Sequence, residues 1–284
     1  MFVFARSGTA AIFSLYCFAA PLAAQGSAEG WVSVGAITSD ELTTGYIFGD
    51  FTLRAHEGQW GAELGMFGVV GRLHETYAAA TWQRDGHKVE LGFPRPAYDR
   101  YAISGLTQVM PRQALESIST TRSRATSGVF TESEFLPYGF TYGSNDIAFS
   151  LHGVPDTDIV VAGAGGRKTG ANWQLDFGIE AVSEADAIGW NAKAQVIRTM
   201  GNLDVGLGLY AGDANGAPHV AELFAQIPMG SHLSLAGLLR QTQGDGPLAG
   251  AKLTYAFETG LLTDIAIIGG TDNLSIAASV GYEF

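Results

Sequence analysis

The chain has 284 residues, of which 46% are hydrophobic and 15% charged, well below the share of about a quarter usual in soluble domains. Its formal net charge is −12, an acid excess that argues against nucleic acid as a partner. Low charge combined with 38 glycines suits closely packed strands and turns better than a helical bundle.

At the start, Arg6 precedes an apolar run from Ala10 to Ala20, and Leu22-Ala23-Ala24 offers small residues for cleavage before Gln25. This is the three-part plan of a secretory signal peptide, residues 1–24. The apolar run is too short to cross a membrane as a helix, which takes about 20 apolar residues. Cys17 does not read as a lipid anchor, because Tyr16 stands where a small residue is expected. Cleavage removes the single cysteine, so the mature chain, 25–284, has no thiol, disulfide or Cys-ligated metal. Loss of Arg6 makes its net charge −12 − 1 = −13.

From Trp31 to the end the dominant pattern has period two. Tyr46 to His56 sets Ile47, Phe51, Leu53 and Ala55 against Asp50, Thr52, Arg54 and His56. Asn172 to Val182 is the clearest case. Trp173, Leu175, Phe177, Ile179 and Ala181 share one face, and Gln174, Asp176 and Glu180 share the other. A one-residue slip would carry both carboxylates into the apolar face, and a charge at mid-membrane depth costs up to a few kcal/mol. The last strand sets Leu274, Ile276, Ala278, Val280, Tyr282 and Phe284 against Asn273, Ser275, Ser279 and Glu283.

Turn signals such as Asp85-Gly86, Gly201-Asn202 and Glu258-Thr259-Gly260 separate these stretches. Strand starts fall near Trp31, Tyr46, Gln59, Thr76, His87, Leu136, Ile147 and Asp158. They continue near Asn172, Ile188, Leu203, His219, His232, Ala249, Leu262 and Asn273. That makes about 16 strands, an even number with both termini on one side, as a bacterial transmembrane barrel requires. The fold class is therefore all-β, an antiparallel transmembrane barrel. Eight strands fill such a barrel with side chains, whereas 16 to 18 leave an aqueous channel.

One stretch departs from the alternation. Pro94 to Phe135 holds no strand, although Pro111 to Ser117 has the look of one or two helical turns. A connection this long is uncommon and is usually functional or disordered. It follows the fifth strand, on which Lys88 and Glu90 share the inward parity that Arg54 has on the second.

These features resemble the general porin family of Gram-negative outer membranes, and its alphaproteobacterial branch. The likeness rests on the leader, the strand count, the long loop opened by Gly92-Phe93-Pro94-Arg95-Pro96-Ala97-Tyr98-Asp99, and the terminal Tyr282-Glu283-Phe284. It implies an outer-membrane homotrimer of barrels, each narrowed by an inward-folded loop, 94–135, and passing small hydrophilic solutes and ions. It further implies loop acids, Asp99, Glu116, Glu132 and Glu134, facing wall bases. Arg54 is the foremost of these, with Lys88 and Glu90 beside it. Arg54 and Lys88 are the expected partners of Glu116, Glu132 or Glu134. Tyr282 and Phe284 correspond to the signal read by the outer-membrane assembly machinery. The chain departs from the family at strand four, where Thr76 and Tyr77 stand in place of another inward arginine. Arg122 and Arg124 also make the loop less acidic than the pattern.

The inward positions Asn191, Lys193, Gln195, Ser234, Arg240, Lys252, Thr254 and Glu258 read as a polar, wet lumen. Trp31, Trp60, Trp82, Trp173, Trp190 and Tyr282 suit the aromatic girdles at the lipid boundary. The acid excess predicts a modest cation preference. Enzymatic chemistry has little support. Ser150 and His152 share a strand face without an orienting acid, the six histidines show no metal spacing, and no cofactor is expected. Gly163-Ala164-Gly165-Gly166-Arg167 reads as a turn, since no helix follows to present a phosphate site. The competing expectation is a closed or plugged barrel acting as an adhesin or structural surface protein.

Overall fold

The computed structural model describes residues 25–39, 43–69, 74–111, 120–126, 136–214, 218–270 and 273–284; the leader lies outside them. Sixteen strands form one closed antiparallel barrel in which each strand pairs with its neighbours in sequence. The first eight are β1 (Gln25–Ser39), β2 (Thr43–Glu57), β3 (Trp60–Val69), β4 (His74–Arg84), β5 (His87–Phe93), β6 (Tyr138–Gly143), β7 (Ile147–Gly153) and β8 (Val160–Thr169). The remainder are β9 (Trp173–Glu184), β10 (Ala187–Met200), β11 (Leu203–Gly212), β12 (Val220–Pro228), β13 (Leu233–Thr242), β14 (Leu248–Ala256), β15 (Leu261–Gly269) and β16 (Leu274–Glu283). Every expected strand is present, including those at Thr76, Asp158 and Leu262 where the alternation is faintest.

Closure joins β1 to β16 from Trp31↔Glu283 to Ser39↔Ser275, which leaves the sheet without an open edge. Gly30 and Phe284 exchange backbone hydrogen bonds at the seam (3.2 and 3.0 Å). Gly30 has φ 128° there, and a Cβ would sit 2.2 Å from Asp50 O, so no side chain fits. At the same end of the barrel, Asp85 (φ 52°) and Gly86 (φ 80°) close the β4–β5 hairpin as a two-residue turn, the geometry whose twist matches paired strands. Ala185 and Asp186 do the same for β9 and β10 with φ 46° and 66°, a turn without glycine.

Burial follows the parity of the sequence. On β9, Trp173, Phe177 and Ile179 are exposed outward while Asp176 and Glu180 are buried inward. On β16, Ile276, Val280 and Tyr282 face out, and Ser275 and Ala277 face in. Trp60 and Trp82 pair across the β3–β4 ladder on the outer face.

Three expectations are corrected. Trp31 points inward and stacks on Phe48 with ring centroids 4.9 Å apart, because its register partner Asp50 lies on the inward parity of β2. The Gly163–Arg167 stretch is the middle of β8, not a turn, since its neighbours on both sides supply a full ladder. The lumen is not polar throughout. Ile37, Phe224, Ala236, Leu238, Ala266, Ile268 and Ala277 form an inward apolar cluster on β1, β12, β13, β15 and β16.

Candidate functional site

That cluster is covered by the long connection between β5 and β6, whose described parts fold into the barrel. The outgoing limb starts against β7, where His152 Nε2 lies 2.9 Å from Pro94 O and Ala97 N donates to Ser150 Oγ at 2.9 Å. A 3-10 turn, Ala97–Arg100, then packs on β7, β8 and β9. The approach depends on Gly165, because a Cβ there would meet Ala97 O at 2.8 Å and the Tyr101 ring at 2.6 Å. Further along, Ala102 N reaches Asp176 Oδ2 at 3.4 Å. The same carboxylate takes two 2.8 Å bonds from Arg167. Gln195 Nε2 donates to Ile103 O at 2.7 Å.

Ser104 caps the short helix α1 (Gly105–Val109) by accepting from Leu106 N at 3.2 Å. Its hydroxyl also donates to Glu222 Oε1 at 2.6 Å, and Gly105 N donates to Glu222 Oε2 at 2.7 Å. Arg240 Nη1 completes the group at 2.8 Å from Oε1. A buried carboxylate on β12 thus gathers a guanidinium and the helix start, which satisfies a charge that would otherwise be costly to bury. Beyond it, Leu106, Val109 and Met110 are buried in the apolar cluster of the wall.

The described return segment, 120–126, is tied to β9 and β10. Ser123 Oγ and Arg124 N donate to Glu180 at 2.7 and 2.8 Å, and Arg124 holds Glu184 through Nε and Nη2 at 3.0 and 2.6 Å. Asp99 binds the limbs to each other by accepting from Ser123 N at 2.8 Å and Thr126 Oγ1 at 2.6 Å. Tyr98 OH donates to Thr120 O at 2.5 Å. Burial pushes this phenol well above its ordinary value, so it stays a neutral donor. Arg122 reaches the opposite wall: Nη1 is 2.8 Å from Glu75 Oε2 on β4, and its guanidinium lies 3.8 Å from the Phe67 ring centroid on β3. Arg95 approaches Glu75 Oε1 from β5's side at 3.5 Å.

The chain forms a closed sixteen-stranded antiparallel barrel with the described parts of the loop after β5 folded inside. No protein-family model matches this sequence, and no curated protein matches it. Solved structures do match. One, described under the asymmetric conductivity of engineered proteins, aligns with TM-score 0.66 at 15% identity, covering 92% of this chain and all of that one. A triple mutant of Rhodopseudomonas blastica porin aligns with TM-score 0.65 at 15% identity and the same coverage. Another mutant of that porin gives 0.65 at 14%. This is the general porin fold.

Within this porin fold, Arg54 on β2 donates to Glu63 at 2.9 Å and contacts Glu29 at 2.6 Å. Lys88 lies 2.5 Å from Glu63 and 2.7 Å from Glu90, and Glu90 also pairs with Arg100. Arg54, Lys88 and Glu90 therefore share one inward ion-pair network on β2, β3 and β5. Asp99 is buried between the limbs of the loop, and Glu116, Glu132 and Glu134 lie outside the described residues. Among the described residues, the loop supplies bases and the wall supplies acids: Arg95 and Arg122 meet Glu75, Arg100 meets Glu90, and Arg124 meets Glu184.

The composition of the loop is compatible with this polarity but does not assign it. From 94 to 135 it has five arginines against four acids. Glu63, Glu75 and Glu222, not singled out from sequence, have the inward parity of strands whose other face is apolar. Asn191, Lys193, Gln195 and Arg240 are inward and buried, as the alternation implies. Glu258 is in the exposed β14–β15 turn. Ser150 and His152 anchor the loop backbone.

Proposed function

We propose that this porin fold works as an outer-membrane porin, a water-filled passage through which small hydrophilic solutes diffuse passively. The observation that carries the reading is the loop fastened inside a sixteen-stranded barrel at Asp176, Glu180 and Glu222, which narrows an interior wide enough to hold water. A leader at 1–24 fits export. The outward apolar bands and Trp60, Trp82, Trp173 and Trp190 suit an outer-membrane lipid environment. Tyr282 and Phe284 are the proposed recognition end for the assembly machinery. A homotrimer is the proposed assembly.

The proposed constriction includes Arg54, Lys88, Glu90 and Asp99, with Glu116, Glu132 and Glu134 of the same loop. Exposed acids crowd the turns, among them Asp156, Asp158, Asp186, Asp213 and Asp245 on one rim. They favour cations at that mouth, so a modest cation preference is expected, weakening as salt shortens the Debye length to about 10 Å at 0.1 M. Conductance in a planar bilayer tests the reading. Shortening the loop between Gly105 and Gly128 should raise the unitary current and admit larger solutes; an unchanged current with the barrel folded would refute the constriction.

The packing of Leu106, Val109 and Met110 on the wall favours a second reading, a barrel plugged on that side and serving as a surface protein. Absence of any step conductance would decide for it.

A further inference from the structure

The outer face of the barrel carries charge at one end alone. Of the carboxylates, lysines and arginines in the strands, those at outward parity are Glu57, Arg84, Lys168 and Arg198. All lie at the end that holds the termini. Glu57 and Arg84 are the last residues of β2 and β4, and Arg84 meets Asp85 of the adjoining turn at 3.2 Å. Lys168 and Arg198 stand further in, on β8 and β10, where the rest of the outward parity is apolar or small.

These two bases flank β9. Lys168 is opposite Leu175 on one side of it, and Arg198 is opposite Trp173 on the other. Strand spacing and rise set their backbones about 12 Å apart, so both long side chains can reach a group lying over Trp173. Both are exposed, and neither has an ion-pair partner among the described residues. Of the acids nearby, Asp204 turns inward to Thr199 Oγ1 at 2.7 Å, and Asp146 in the β6–β7 turn pairs with neither base. The Trp173 indole covers Gly170, where a Cβ would come within 2.2 Å of Nε1. The glycine thus lets the indole N–H lie toward the turn, where no acceptor meets it among the described residues. Above this row, Leu175, Val196 and Val205 continue as an apolar surface.

Lysine and arginine at a lipid boundary lay their stems on the apolar wall and put their charges among the headgroups, the layer that tryptophan also prefers. A guanidinium fork matches phosphate oxygens. Two cations and an indole donor without protein partners call for an anion from outside, and the leucine and valines beside them call for hydrocarbon. An anionic phospholipid supplies both; a free phosphate ion supplies only the first. We propose that Lys168, Arg198 and Trp173 form a binding site for the phosphate of an anionic phospholipid. The leaflet is the one around the terminal end, periplasmic by its short turns at 58–59, 85–86 and 201–202. The proposal rests on the outer-membrane reading above and is independent of whether the channel is open.

The test titrates the refolded full barrel in neutral micelles with phosphatidylglycerol or phosphatidylcholine and counts bound lipid by native mass spectrometry. We expect phosphatidylglycerol to bind in preference to phosphatidylcholine. Lys168→Gln and Arg198→Gln should each raise its half-saturating concentration about fivefold, the size of one basic residue's attraction to an anionic membrane surface. Arg198→Lys should retain most of the preference, and Arg84→Gln, whose charge is already paired with Asp85, should leave it unchanged. Inorganic phosphate at the same concentration should not displace the lipid. Both glutamine variants remove a charge from the lipid face and should refold; Lys168→Met and Arg198→Met replace either that does not. Equal binding of the two lipids, or a preference indifferent to both substitutions, overturns the proposal and leaves the membrane barrel standing. Displacement by equimolar phosphate overturns the lipid as occupant. A parent chain that never acquires heat-modifiable mobility overturns the membrane-barrel reading itself.

Discussion

Replacing Glu222 by leucine should loosen the loop and destabilise the barrel by separable amounts. The carboxylate takes bonds of 2.6 Å from Ser104, 2.7 Å from Gly105 N and 2.8 Å from Arg240. Depriving a buried guanidinium of its carboxylate costs about 3–5 kcal/mol. Arg240 retains Thr242 Oγ1 at 3.3 Å, which places the expected loss toward the lower end. The two loop donors lose bonds to a charged acceptor, nominally about 1.5–3 kcal/mol each. They regain water when the helix start lifts away, so about 3 kcal/mol in all is the working figure. That corresponds to roughly a hundredfold rise in the detached population. Adding Arg240→Leu removes the stranded charge, and an apolar pair of similar volume is often as stable as the ion pair. The double variant should therefore recover most of the barrel stability while the loop stays loose. Urea unfolding followed by tryptophan fluorescence reads the first quantity, and current noise in single channels reads the second. If the single variant unfolds like the parent, or the double variant also restores a quiet current, Glu222 does not hold the loop.

Three further outcomes follow from parity and packing. Leu175→Asp places a carboxylate on the lipid face and should impair refolding seen as heat-modifiable mobility, at a cost below the roughly 2–4 kcal/mol of a basic residue at the bilayer midplane. Asp176→Leu removes an inward partner of Arg167 and Ala102 N and should still give a folded barrel; equal tolerance of both would contradict the register of β9. Deleting Phe284 removes both backbone bonds to Gly30 and a ring 6.4 Å from Tyr282 and from Phe51, so membrane levels in cells should fall. Gly165→Val pushes against Ala97 O and the Tyr101 ring and should make the loop more sensitive to protease without preventing barrel closure; a loop as resistant as the parent's would show that the close approach is unimportant.

The sequence by itself determined the barrel. Alternation along β2, β9 and β16 separates lipid-facing from inward residues at every second position, and a slip of one would place Asp176 and Glu180 in lipid, so pattern and register are one constraint. The turn chemistry of Asp85-Gly86 and the strand-free span after β5 then fix the count and locate the loop. Local pattern did not determine what the inward faces do together. Trp31 looked like a girdle residue because tryptophan suits either side, and its place beside Phe48 depends on the pairing of β1 with β2. Ser150 and His152 share a strand face without an orienting acid, and only the folded loop gives them partners, Ala97 N and Pro94 O. The polarity of the interior, arginines on the loop and buried glutamates on the wall, was decided by tertiary structure. Burying a carboxylate requires donors. Glu180 and Glu222 take some from neighbouring strands, Asn191 and Arg240, and the rest from Ser123, Arg124, Ser104 and Gly105, more than 50 residues away along the chain. Such partners are brought together by closing the barrel and folding the loop within it, and no periodicity in the sequence encodes that encounter.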